Sequence, residues 1–175
     1  MKKNTQKIVL SGLLIAISII LSRSPMLSPY AGGRTLKIDT SYGVIAFAGL
    51  LMGPFYGFSV GFLADLLGAN LFPVGAYFIG FSISSAMIGF IPGLARLLIR
   101  KKRINVLINI IAISFACFIN NLLGTFFVRI YYKPVTEIYL LRLFWLVLLI
   151  PVTVIVAITL QNIYNSYYNN HGPLE

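Results

Sequence analysis

The sequence predicts an all-α integral membrane protein with six transmembrane helices, and three observations carry that expectation. Apolar runs of bilayer length recur from end to end, 58% of the 175 residues are hydrophobic, and only 10% are charged. A soluble domain needs a polar face on every surface helix, and this composition does not supply one. Residues 1–171 read as a single transmembrane domain, and Gly172-Pro173-Leu174-Glu175 reads as a cloning scar, which leaves His171 uninformative.

The first helix is expected over about Ile8 to Ser22, preceded by Lys2, Lys3 and Lys7. No small-residue cleavage site follows it, so it reads as a retained membrane helix and not as a removed signal peptide. Its apolar run is short for a span unless its ends are embedded in protein. Gly12 and Ala16 form a small-xxx-small pair suited to close helix packing, either inside the bundle or against another chain. After Arg23, the stretch Ser24 to Asp39 carries two prolines and Gly32-Gly33 and is a loop. Its length between packed helices points to function.

The second helix, about Tyr42 to Met52, is rich in Gly and Ala and stops at Gly53-Pro54. The third runs from about Phe55 to Ala69. Gly53, Gly57, Gly61 and Gly68 recur on one side of it, where another backbone approaches closely. Asp65 shares that face, four residues after Gly61. Asn70-Leu71-Phe72-Pro73-Val74-Gly75 ends the helix and gathers polar and aromatic groups at a turn. The fourth helix spans about Tyr77 to Leu98, with Gly80, Gly89, Pro92 and Gly93 as expected kink sites. The fifth spans about Ile104 to Val128 and carries Asn109, Asn120 and Asn121. The last spans about Ile138 to Tyr164, with Arg142 near its start, Pro151 at its middle and a polar tail behind it.

A net charge of +10 raises the question of nucleic acid. The basic residues, however, flank apolar helices and do not stripe a soluble face, so no nucleic-acid partner is expected. Arg100-Lys101-Lys102-Arg103 is a cytoplasmic signal, and with six helices it places both termini on the same inner side. That topology leaves Arg23, Arg34, Lys37, Arg129, Lys133 and Arg142 at the outer face, where the positive-inside rule predicts few cations.

A cavity lined by cations attracts anions, and Arg suits planar, bidentate contact with carboxylate or phosphate. Arg23 is either such a grip or a snorkelling side chain at a helix end. Arg142, about a turn inside the last helix, needs a partner. Lys37, like Arg34 and Lys133, also fits a solvated loop charge. Asp65 and Asp39 are the acids nearest the outer cavity, apart from Glu137. A carboxylate accepts two hydrogen bonds side by side, the pattern offered by an amino-substituted nitrogen heterocycle, or else pairs internally with Arg23 or Arg142. Phe72, Tyr77, Tyr30, Tyr42 and Phe78 are available to stack on a flat ring. Asn120 suits a helix-to-helix hydrogen bond. The candidate substrate-binding set is Arg23, Lys37, Asp39, Asp65, Asn70, Phe72, Tyr77, Asn121 and Arg142.

No catalytic residues, metal site or cofactor are expected. No His precedes the tail, no Cys/His metal spacing occurs, and the serines lack a candidate base. Cys117 stands alone inside an apolar run. A Walker A sequence is missing, so energy for transport is expected from another protein.

Three stretches together cover about half the chain: GLLIAISIILSR at Gly12 to Arg23, AGLLMGPFYGFSVGFLADLLGANLFPVGAYFIGFSIS at Ala48 to Ser84, and Leu141-Arg142-Leu143 through Pro151. In order and spacing they resemble the substrate-binding S components of energy-coupling factor (ECF) vitamin transporters, the folate-specific ones most closely. ADLLGANLFPVGAYF is the specific part. The resemblance implies a six-helix S-component fold in a bacterial cell membrane, a vitamin site near the outer face closed by the loops after helices one and three, and no ATPase activity in this chain. It also implies a membrane T component (EcfT) and two cytoplasmic ATPases (EcfA and EcfA′) as partners, with Gly12 and Ala16 at the T-component contact and Arg23 gripping folate. Ahead of helix two, Leu36 to Gly43 departs from the Arg-Ile-Gly-Phe-type sequence common in relatives. The alternatives are an S component for riboflavin, thiamin, pantothenate or a queuosine precursor, and a small intramembrane lipid-processing protein.

Overall fold

The computed structural model describes residues 2–23, 30–31, 36–37, 39–73, 77–98, 106–132 and 136–171. Among them are six helices: α1 (Lys2–Arg23), α2 (Ser41–Met52), α3 (Pro54–Leu71), α4 (Ile79–Leu98), α5 (Val106–Tyr132) and α6 (Thr136–His171). A two-residue antiparallel ribbon, β1 (Tyr30–Ala31) and β2 (Leu36–Lys37), lies between α1 and α2. Arg34, Arg100 to Arg103, Lys133 and residues 172–175 fall outside the described residues, as do the side chains of Lys37 and Glu137.

Several expected boundaries move, those of α1 and α6 the most. α1 begins at Lys2, so its 22 residues reach about 33 Å, enough for the roughly 30 Å hydrocarbon core. α6 continues through the expected tail to His171, because no Gly or Pro interrupts it after Pro151. Its 36 residues exceed the thickness of a bilayer.

Among the described residues, α1, α4, α5 and α6 are the helices long and apolar enough to cross a membrane by themselves. α2, with 12 residues, spans about 18 Å. Nine of those residues are buried, from Ser41 to Leu50. A helix hydrophobic on every side belongs in a core, and α2 packs against α1, α3, α4 and α6. Ile45, Leu50, Val60, Ile88 and Ile113 are buried in the common core.

The α2–α3–α4 contact is made backbone to backbone. A side chain at Gly49 or Gly57 meets the Gly89 carbonyl, and one at Gly89 meets the Gly57 carbonyl. A Cβ on Gly61 falls 2.7 Å from the Ser85 carbonyl oxygen. Of the four glycines read from the sequence as one face, Gly57 and Gly61 lie where α3 meets α2 and α4, whereas Gly68 faces Arg23 of α1 and Gly53 precedes the helix. Gly53 alone joins α2 to α3, with φ 100°, a left-handed conformation that glycine adopts freely. Pro54 then opens α3 at a position where its missing N–H costs nothing.

The outer surface is apolar. On α5 and α6, Phe115, Phe126, Phe144 and Val147 are exposed, a surface suited to lipid. On α1, Gly12 and Ala16 are exposed as well, and a Cβ on Gly12 meets nothing within 4 Å. Among the described residues the pair therefore faces outward.

Candidate functional site

Side-chain hydrogen bonds cluster at the end of the bundle where α1, α3 and α5 finish and α2, α4 and α6 begin. Three groups of residues meet there.

The first is a clasp around Asp39. Its carboxylate is 5% exposed. It accepts hydrogen bonds from Ser22 Oγ at 3.1 Å, Ser41 N at 3.1 Å and Ser41 Oγ at 2.5 Å. One acid thus satisfies an orphan amide in the first turn of α2 and ties it to the last turn of α1. Arg23 is the next residue after Ser22, so the clasp also fixes where Arg23 stands. Asp39→Ala is expected to cost about 2–3 kcal/mol, the loss of a buried charged acceptor. Asp39→Asn, which keeps an acceptor, is expected to cost less. Thermal unfolding in detergent checks both.

The second is Arg23, half-buried against the end of α3. A Cβ on Gly68 would sit 3.1 Å from Arg23 Nε, so the absence of a side chain there lets the guanidinium lie on the helix. Arg23 Nη1 donates to the Phe72 carbonyl oxygen at 3.4 Å, a long contact. Arg23 Nε is buried without a hydrogen-bond partner among the described residues. An unmatched buried donor carries a desolvation cost that an anion would remove.

The third is a polar floor between α2, α3, α4 and α5. Ser82 is fully buried on α4; its Oγ donates to Asp65 Oδ2 at 2.8 Å and lies 2.6 Å from the Tyr77 hydroxyl. Tyr42 of α2 stands beside Asn120 and Ser85 and lies in the field of both Asp39 and Asp65.

The remaining candidates stand at the margins. Asn70 is exposed and donates to the Leu66 carbonyl of its own helix at 2.7 Å. Phe72 is 55% exposed. Asn121 donates to the Arg142 carbonyl oxygen at 3.0 Å and accepts from Thr125 Oγ1, fastening α5 to α6. The Arg142 guanidinium passes close to Gly124. Lys37 pairs through its backbone with Tyr30 in the ribbon. Asn120, read from the sequence as a helix-to-helix amide, lies beside Tyr42 of α2, and Asn121 fastens α5 to α6. Phe78 packs with Phe81 and Phe127, its centroid 5.4 Å from that of Phe127, so its ring is engaged in the wall.

Sequence reasoning passed over Ser22, Ser41, Ser82 and Ser85. Three serines within four residues of α4, all buried, were a signal in Phe81-Ser82-Ile83-Ser84-Ser85-Ala86. Ser82 meets Asp65 of α3, whereas Ser84 donates to the Phe81 carbonyl of its own helix.

Comparison with known proteins adds three findings. A family model described as ECF transporter, substrate-specific component, matches residues 6–166. A folate transporter FolT of Leuconostoc mesenteroides is 26% identical over 94 residues, which cover 54% of this chain and 48% of that protein. The match thus spans about half the length of that curated relative. A crystal structure of FolT bound with folic acid superposes with a TM-score of 0.75 at 27% identity, covering 90% of this chain and 93% of the other.

Proposed function

The chain belongs to the substrate-specific components of ECF transporters, and from that premise we propose that it captures folate at the outer face of a bacterial membrane and delivers it unchanged. The observation that carries the ligand is the likeness, over nine-tenths of the chain, to a FolT structure that holds folic acid. The chemistry of the site agrees with that ligand. Folate has a flat pterin heterocycle, a 2-amino-4-oxopteridine, at one end and a glutamyl tail with two carboxylates at the other.

In this reading the tail lies by Arg23, whose buried Nε gains a partner, with Arg142 and Lys37 adding positive charge. A guanidinium makes bidentate bonds to carboxylate, which favours this residue type there. The heterocycle lies over the floor, with Asp65 accepting from its amino edge and Phe72 and Tyr77 covering its faces. Asn70 and Asn121 border the site, and Asp39 acts by holding α1 and α2 in place.

Energy and passage come from partners: a membrane T component, EcfT, and two cytoplasmic ATPases, EcfA and EcfA′. Both termini are cytoplasmic, and the outward small-residue pair, Gly12 and Ala16, faces the T component, since small side chains permit close helix approach. Gly12→Trp is therefore expected to abolish folate uptake in cells while leaving folate binding by the purified chain intact. Retained uptake overturns the assignment of this face to the partner, and loss of both activities points to misfolding. Uptake without the T component and ATPases overturns the transport reading altogether.

A further inference from the structure

We propose that Tyr77 and Ser82 form a positioning relay that holds Asp65 as a hydrogen-bond acceptor, so that the site selects a heterocycle presenting two adjacent N–H donors. The proposal rests on the folate reading above and names what sets its specificity.

The geometry fixes the order of the protons. A serine hydroxyl has one proton to donate, and Ser82 gives it to Asp65 Oδ2 at 2.8 Å. The 2.6 Å contact between Tyr77 and Ser82 must then have the tyrosine donating. The chain Tyr77 to Ser82 to Asp65 runs one way and ends on a carboxylate lone pair. A carboxyl carrying its proton on Oδ2 would reverse both bonds. Ser82 is fully buried, so water does not compete for its hydroxyl.

The surroundings support the same polarity. Arg23 of α1 lies against α3 at Gly68, less than one turn beyond Asp65. From α2, Tyr42 stands beside Ser85, one helical turn from Ser82 on the same face of α4, and beside Asn120 of α5. Ser82 thus steadies Asp65 from α3. A carboxylate has about four lone-pair sites, and Ser82 occupies one of them. Two parallel N–H groups match the carboxylate side by side, as the 2-amino group and neighbouring ring N–H of a pterin do. A flavin ring offers one N–H between two carbonyls, and those carbonyls would face the acid.

The test compares folic acid with its 2-desamino analogue, each titrated into purified wild type, Ser82→Ala, Ser82→Thr, Tyr77→Phe and Asp65→Asn. Wild type is expected to prefer folic acid by roughly 10- to 150-fold, the range for hydrogen bonds to a charged group. Ser82→Ala should reduce that preference about 5-fold, as should Tyr77→Phe to a smaller degree, and Ser82→Thr should restore it. Asp65→Asn should remove most of it. A purely structural role for Ser82 would weaken both ligands equally, so an unchanged preference in Ser82→Ala and Tyr77→Phe overturns the relay while leaving folate capture standing. Wild type that binds neither ligand overturns the functional reading, and the relay with it.

Discussion

Gly89→Ala is expected to cost the protein at least about 3 kcal/mol, the upper part of the range for overpacking a tight core. For a chain of this size that lowers the melting temperature by roughly 6–12 °C. The added Cβ would meet the Gly57 carbonyl oxygen, with the carbonyl carbon at 2.5 Å and Cα at 2.9 Å. These are backbone atoms of α3, which no rotamer change moves aside. A Cβ on Gly57 would in turn meet Gly89 and, at 2.7 Å, Gly49 Cα, so displacing α3 from α4 pushes it into α2. Gly12→Ala supplies the control, because the same methyl group there meets nothing within 4 Å. That variant is expected to melt at or slightly above wild type, since alanine is the better helix former by about 1 kcal/mol. Equal melting temperatures for the two variants would contradict the close packing of α2, α3 and α4.

Arg23→Ala is expected to weaken folic acid binding by about 1.5–3 kcal/mol, the worth of a hydrogen bond to a charged group, or roughly 10- to 150-fold in Kd. Its melting temperature without ligand should change little, because the side chain makes one long hydrogen bond at 3.4 Å among the described residues. Arg23→Lys should recover part of the affinity and not all, since an ammonium group supplies charge without the planar fork. Titration of the three proteins with folic acid separates these outcomes. Unchanged affinity in Arg23→Ala would assign the residue to capping the C-terminal end of α3, where a cation is also favourable.

Six helices were legible because each leaves an apolar run bounded by Gly, Pro or charge. The turn at Gly53-Pro54 marked the α2–α3 boundary almost to the residue. The shortness of α2 was legible too, but its central place was not. Burial on all sides comes from α1, α3, α4 and α6 together, and none of that is local to the stretch from Ser41 to Met52. The polar tail of α6 misled because Asn and Ser suggest an end, although nothing there breaks a helix.

At the site, Asp65 and Arg23 stood out because ionisable groups are rare in such a composition. The job of Asp39 did not, since a buried carboxylate bonded to Ser22 and Ser41 looks the same in sequence as one facing a ligand. Serines are the least legible part. Whether Ser82 meets Asp65 depends on the register between α3 and α4, and that register is set by Gly57, Gly61 and Gly89.

The most direct test of folate capture is isothermal titration of the purified chain in detergent with folic acid, beside riboflavin, thiamin and pantothenate. The expected result is tight one-to-one binding of folic acid and none of the other three. Heat from one of those vitamins and silence from folic acid would contradict the folate assignment and turn attention to Leu36 through Asp39, while silence from all four would contradict vitamin capture.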